Sequence, residues 1–86
     1  MEALKHIGIL KSLFWDYRWD SVKEHLTSPF VVARVFEMGN PDQVRVFLQI
    51  VGEQVVRDFL RTHGQKLLSP ISYNFWTLYY AQQKTD

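Results

Sequence analysis

Three times along the chain a small polar residue is followed at once by proline, as Ser28-Pro29, Asn40-Pro41 and Ser69-Pro70, and glycines stand at Gly39, Gly52 and Gly64. This punctuation leaves little freedom of fold. A Ser or Asn at an N-cap accepts a hydrogen bond from an orphan N–H, and proline fits the first helical position, where its missing N–H would have no intrahelical partner. Glycine takes the left-handed conformation that ends many helices. The pattern predicts helices from Pro29 to Met38, from Pro41 to Val51, from Glu53 to His63 and from Pro70 to Gln82, with Gly39, Gly52 and Gly64 as stops. Within the second of these, Val44, Phe47, Leu48 and Val51 make an i, i+3, i+4, i+7 stripe, and in the third Val56, Phe59 and Leu60 are the expected buried residues.

Upstream, Leu4, Ile7, Ile9, Leu10, Leu13 and Phe14 recur at mixed three- and four-residue steps, which predicts a first helix from Glu2 to Phe14 with one broad buried face and a weak point at Gly8. The segment from Trp15 to Asp20 breaks that pattern. Asp20 is placed to cap a short helix from Ser21 to Leu26 that holds Val22 and Leu26. The Val-rich stretches all lie between helix signals, so no strand pattern competes. Short connections turn neighbouring helices back on one another, and the expected fold is all-α, a compact array of five or six short helices in a single domain. The segments near eleven residues have little in common at matching positions beyond Val32, Val44 and Val56, and they are shorter than solenoid repeats.

Eighty-six residues allow one thin core, since chains of this size bury only about 60% of the surface they expose when unfolded. A hydrophobic content of 47%, including six Phe, four Tyr and three Trp, is enough to fill it. Cysteine is absent, which removes disulfides and thiolate metal sites and suits a cytoplasmic location. No apolar run is long enough for a signal peptide or a membrane span, so a soluble protein without membrane association is expected. The net charge of +1 provides no global field toward nucleic acid or acidic lipid.

Candidate chemistry is sparse. Neither His25 nor His63 has a second ligand at the i, i+4 spacing and His6 has only Glu2 there, so no metal or cofactor is expected. His6 and His25 read as surface residues, and His63 as a cation in the last turn of its helix. Asp16 and Asp20 could pair as carboxylates, but a cap and a partner for Arg18 explain them without catalysis. No nucleophile, phosphate-cradling loop or base accompanies them, so an enzyme is not expected. Arg34, Arg45, Arg57 and Arg61 could form a basic strip for phosphates, yet Glu37, Asp42, Glu53 and Asp58 share their segments. The glycine turn between the helices ending at Val51 and starting at Glu53 also suits a helix-turn-helix, which keeps a small nucleic-acid-binding regulator as an alternative, although Glu53 and Gln54 are poor base readers.

The last helix is apolar around most of its circumference, with Ile71, Tyr73, Phe75, Trp76, Leu78, Tyr79 and Tyr80. Phe75 and Trp76 are expected in the core, Asn74 bonding a turn, and Tyr79 and Tyr80 at the surface as partner contacts.

Leu13-Phe14-Trp15-Asp16-Tyr17, Arg34-Val35 with Glu37 and Gly39, Val56 with Phe59-Leu60, and Leu68-Ser69 followed by Ser72 and Asn74-Phe75-Trp76 resemble a known family. It is a family of short uncharacterised prokaryotic helical proteins, a domain of unknown function often encoded beside nucleotidyltransferase toxins of the abortive-infection AbiEii type. Members carry more basic residues before the final motif, where this chain has only Lys66 and then Pro70, which argues against a phosphate-binding loop. The resemblance implies a non-catalytic protein–protein interaction module, an antitoxin-like or accessory partner of a nucleotidyltransferase. Its expected contacts are Trp15, Tyr17, Trp19, Tyr79 and Tyr80, with Arg18 and Arg34 as polar contacts at the rim. A self-associating structural domain, a homo-oligomer, is the other alternative.

Overall fold

Caps set the middle of the chain. The computed structural model describes residues 3–82, and in it the Ser28 hydroxyl accepts from the Val31 N–H as Pro29 opens α2 (Pro29–Met38). Asn40 opens α3 (Pro41–Val51) through a reciprocal box: its side chain accepts from the Gln43 N–H while Gln43 Oε1 accepts from the Asn40 N–H. Gly52, with φ 88°, turns the chain into α4 (Glu53–Phe59) as a one-residue connection, a conformation that side chains rarely adopt. Gly39 ends α2 in extended backbone, not in the left-handed conformation expected of it.

Two expectations fail here for identifiable reasons. Gly64 does not stop the helix that begins at Glu53. The chain runs on through a π-helical turn (Leu60–Gly64) into α5 (Gln65–Leu67). Gly64 instead makes room, because a Cβ there would stand 3.1 Å from a Tyr73 ring carbon and 3.2 Å from Leu60 Cδ2. Nor does Asp20 cap the short helix, since α1 (Trp19–Lys23) starts one residue earlier, after Arg18, without a side-chain cap. Asp20 lies within its first turn, 3.6 Å from Lys23. At its first position Trp19 packs its ring on the core, 6.4 Å from Phe14.

The first helix, Ala3–Phe14, is a 3-10 helix where the sequence predicts an α-helix, and Glu2, expected to open it, lies outside the described residues. Ile7, Leu10 and Leu13 recur every three residues, the period at which a 3-10 helix eclipses its side chains into one row. That row and Phe14 face the core, while Ile9 is exposed. Two donors from other helices bond the carbonyls of this element. Gln43 Nε2 donates to the Ile9 carbonyl at 2.9 Å and to Ser12 Oγ at 3.1 Å, and Arg34 Nη1 donates to the Leu13 carbonyl at 3.2 Å.

With α6 (Pro70–Gln82), the described residues make an all-α fold of six α-helices, the 3-10 helix and one π turn, with no strand. Phe14, Phe47, Leu10, Val32, Val35 and Val56 are its most deeply buried side chains. α2 and α3 lie at the centre, packed on the 3-10 helix and, through Phe36, on α6.

Candidate interaction surface

α6 is docked through its first turn and one of its faces. Ser69 precedes Pro70, and its hydroxyl accepts from the Ser72 N–H. Glu37, at the end of α2, receives the Ser69 N–H at 2.8 Å, the Ser69 hydroxyl at 2.9 Å and the Ser72 hydroxyl at 2.8 Å. Partial burial pushes the Glu37 carboxyl up, but these three donors outweigh it and hold it below its ordinary value. Negative charge at a helix start also suits the helix dipole. Further along, Trp76 Nε1 donates to the Phe36 carbonyl at 3.0 Å, with the two rings edge to face at 4.7 Å.

The inward row is Tyr73, Trp76 and Tyr80, at i, i+3, i+7. Tyr80, expected as a partner contact, is buried, and its hydroxyl has no hydrogen-bond partner. Burial, helped by the nearby charges of Glu53 and Tyr79 and opposed by that of Arg57, pushes its phenol up to about 12. The Arg57 guanidinium lies 5.5 Å from the Tyr80 ring centre, and Arg57 Nε is likewise buried without a partner.

The outward row is Ile71, Phe75, Leu78 and Tyr79, all exposed. Phe75, expected in the core, therefore changes places with Tyr80, whereas Trp76 does pack on the core and Tyr79 does reach the surface. Asn74 is exposed as well. From Pro70 to Gln82 the sequence contains no Asp, Glu, Lys or Arg, so no charge interrupts this face. Beside it, Phe75, Trp76 and Tyr79 line an open groove of about 650 Å³ together with Val44 and Leu48 of α3, and the charges beside α6, Arg45 and Glu53, come from α3 and α4.

The remaining expected contacts lie on the turn after the 3-10 helix, on α1 and on α2. Trp15 and Tyr17 are exposed in the turn after the 3-10 helix, and the Tyr17 ring meets the exposed Phe30 edge to face at 5.1 Å. Arg18 joins Tyr17 and Phe30 around a shallow cleft of about 310 Å³. Trp19 is half-buried against the core. Arg34 is turned to internal use: its guanidinium sits 5.7, 5.3 and 5.1 Å from the ring centres of Phe14, Tyr17 and Phe30 and bonds Asp16 at 2.6 Å. That bond holds the Asp16 carboxyl below its ordinary value. Tyr79 and Tyr80 are thus not brought together with Trp15, Tyr17 and Arg18.

The other arginines of α3, α4 and the π turn have carboxylate partners. Arg45 pairs with Asp42, Arg57 with Glu53 and Arg61 with Asp58, so each arginine of the imagined basic strip stands beside a carboxylate. Bonds from Arg61 and Gln54 hold the Asp58 carboxyl low. His6 and His63 are exposed, and the exposed His25 ring bonds the Ser21 carbonyl at 2.9 Å. Among the described residues no three His, Asp or Glu converge as a metal site would require, and no helix is long and apolar enough to cross a membrane.

Fold and surface together define an all-α domain with an uncharged aromatic helix laid across one side. Residues 9–60 match a protein family described as a family of unknown function (DUF6922), and the chain belongs to that family. The match runs from the 3-10 helix to the end of α4, and α6 lies beyond the matched residues. No curated protein and no solved structure matches the chain.

Proposed function

We propose that this domain is a non-catalytic protein–protein interaction module. The observation that carries the reading is the outward face of α6, where Ile71, Phe75, Leu78 and Tyr79 stand in water although the same helix packs Tyr73, Trp76 and the buried Tyr80 against the core on its other side. Contiguous apolar patches on soluble domains mark contact sites. The corner formed by Tyr17 and Phe30, with Arg18 beside them and the exposed Trp15 two residues before Tyr17 in the same turn, is a second such surface, rich in the aromatic residues that anchor interfaces. The shifted carboxylates have partners that explain them as parts of the scaffold, which supports binding over catalysis.

The finer reading, an antitoxin-like or accessory partner of a nucleotidyltransferase in the cytoplasm of a prokaryote, rests on the resemblance carried by Leu13–Tyr17, Arg34-Val35 with Glu37 and Gly39, Val56 with Phe59-Leu60, and Leu68-Ser69 with Ser72 and Asn74–Trp76. Co-expression with the product of the adjacent gene tests it. The expected outcome is co-purification and relief of that protein's toxicity, both lost in Trp15→Ala/Tyr17→Ala. A chain that neither co-purifies nor relieves toxicity refutes the antitoxin reading.

A further inference from the structure

We infer that the outward face of α6 pairs with the same face of a second copy of this chain, as an antiparallel helix pair about a two-fold axis at Phe75. This rests on reading the domain as an interaction module and names the occupant of one of its two surfaces, leaving the Trp15–Tyr17–Phe30 corner for an unlike partner.

Charge is the first ground. A surface without charge complements another without charge, whereas a protein that handles nucleotides or acidic peptides is recognised through charged groups that α6 lacks. A second copy brings an uncharged apolar face by necessity.

The second ground is spacing. A two-fold contact requires one patch to be complementary to itself, so that residue i meets j and j meets i. On α6, Ile71 lies four residues before Phe75 and Tyr79 four after, with Leu78 beside Tyr79. An axis through Phe75 sets Ile71 of each copy against Leu78 and Tyr79 of the other and brings the two Phe75 rings together. A parallel pairing has no such centre.

Area is the third. Taking roughly 200 Å² for a fully exposed large apolar side chain, exposures of 83% for Ile71, 57% for Phe75, 58% for Leu78 and 39% for Tyr79 leave about 500 Å² of apolar surface on each copy. Doubled by symmetry, complete burial of these four side chains amounts to about 950 Å², just under the level of about 1,000 Å² that separates specific contacts from incidental ones. The pair is therefore expected to be reversible and concentration-dependent.

Sedimentation velocity from about 1 µM to about 200 µM spans the affinities that interfaces near this area reach. The wild-type mass is expected to rise from 10.2 kDa toward twice that value. Ile71→Glu/Leu78→Glu, which changes only exposed side chains, is expected to keep the helical circular dichroism and remain monomeric. A wild type that stays monomeric, or a double variant that still dimerises, overturns the pairing. The absence of native cysteine allows a geometric test. Phe75→Cys should oxidise to a disulfide dimer, since facing residues at the axis of such a pair fall within the Cα separation of about 4.4–6.8 Å that a disulfide spans. Ile71→Cys, about 12 Å along the helix from its own copy, should link to Tyr79→Cys in a mixture and not to itself. Self-linking of Ile71→Cys overturns the antiparallel geometry. A monomer whose α6 face binds an unlike protein, with binding lost in the same double variant, overturns self-pairing while leaving the interaction module intact.

Discussion

Gln43 is the one polar residue that is buried among the described residues, at 6% exposure, and its amide is used at both ends. Oε1 accepts from the Asn40 N–H as part of the α3 cap, and Nε2 donates to the Ile9 carbonyl and to Ser12 Oγ, tying α3 to the 3-10 helix. Gln43→Glu keeps the shape and the capping acceptor and replaces only the donor. The hydrogen bond to the Ile9 carbonyl, worth about 1 kcal/mol, is lost, while the Ser12 hydroxyl can turn to donate to the new carboxylate; a carboxylate oxygen pressed against a carbonyl in a buried site adds to the loss, so the expected cost near neutral pH is about 2–4 kcal/mol. For a domain stabilised by about 5–15 kcal/mol in general, this is a large share, and with about 4–8 °C per kcal/mol the melting temperature should fall by roughly 10–25 °C. Burial and the facing carbonyl raise the folded pKa of the introduced carboxyl above its unfolded value. The stability carried by its protonated form is therefore fully present below the unfolded pKa and is lost as pH rises through the folded pKa. Below that window the acid proton donates to Ile9 again, and the gap between variant and wild type should narrow to about half. Urea unfolding followed by tryptophan fluorescence at several pH values measures this gap. A gap that is absent at neutral pH, or that stays constant as pH falls, refutes the assignment of Nε2 as the donor joining the two helices.

Other perturbations separate the remaining contacts. Arg34→Lys keeps the charge but loses the planar group set against three rings, and should cost about 1 kcal/mol in urea unfolding with little dependence on salt. Glu37, whose pKa is lowered from an ordinary value of 4.5, contributes stability above that value that is lost as pH falls through its folded pKa; Glu37→Gln should flatten this acid limb and cost about 1 kcal/mol near neutral pH, a modest figure because the carboxylate is largely exposed. Tyr80→Phe removes a buried hydroxyl that has no partner and should leave stability unchanged or raise it by up to about 1 kcal/mol, read as a thermal midpoint no lower than that of the wild type.

The caps explain why so much of the fold was legible in the sequence. Ser28-Pro29, Asn40-Pro41 and Ser69-Pro70 each combine an acceptor with a pre-set φ, a local signal that tertiary packing did not override. Gly64 misled because glycine has two uses, and its role here is to admit the Tyr73 ring, a neighbour nine residues away in sequence. The 3-10 helix was hidden because Ile7, Leu10 and Leu13 also fit one face of an α-helix, and the Gln43 and Arg34 donors that bond its carbonyls come from helices distant in sequence. At the candidate surface the difficulty was phase. An amphipathic helix announces its inward face through polar residues opposite, and α6 is apolar on both sides, so nothing local separates Tyr80 from Phe75. Arg34 was legible as important but not as internal, since the rings that surround it converge only in the folded chain.

The single-residue connection at Gly52 bears on which changes of length this family can absorb. Adding one residue to a helix start turns everything beyond it by about 100°, and with no loop to take up the difference Val56 and Phe59 would swing away from the core they fill. The same holds at Gly39-Asn40, where two residues separate α2 from α3. Substitution is therefore far better tolerated than insertion or deletion between Ser28 and Leu60. Variation in length among relatives is expected to collect in the two looser turns, 15–18 and 24–28, the first of which carries Trp15, Tyr17 and Arg18.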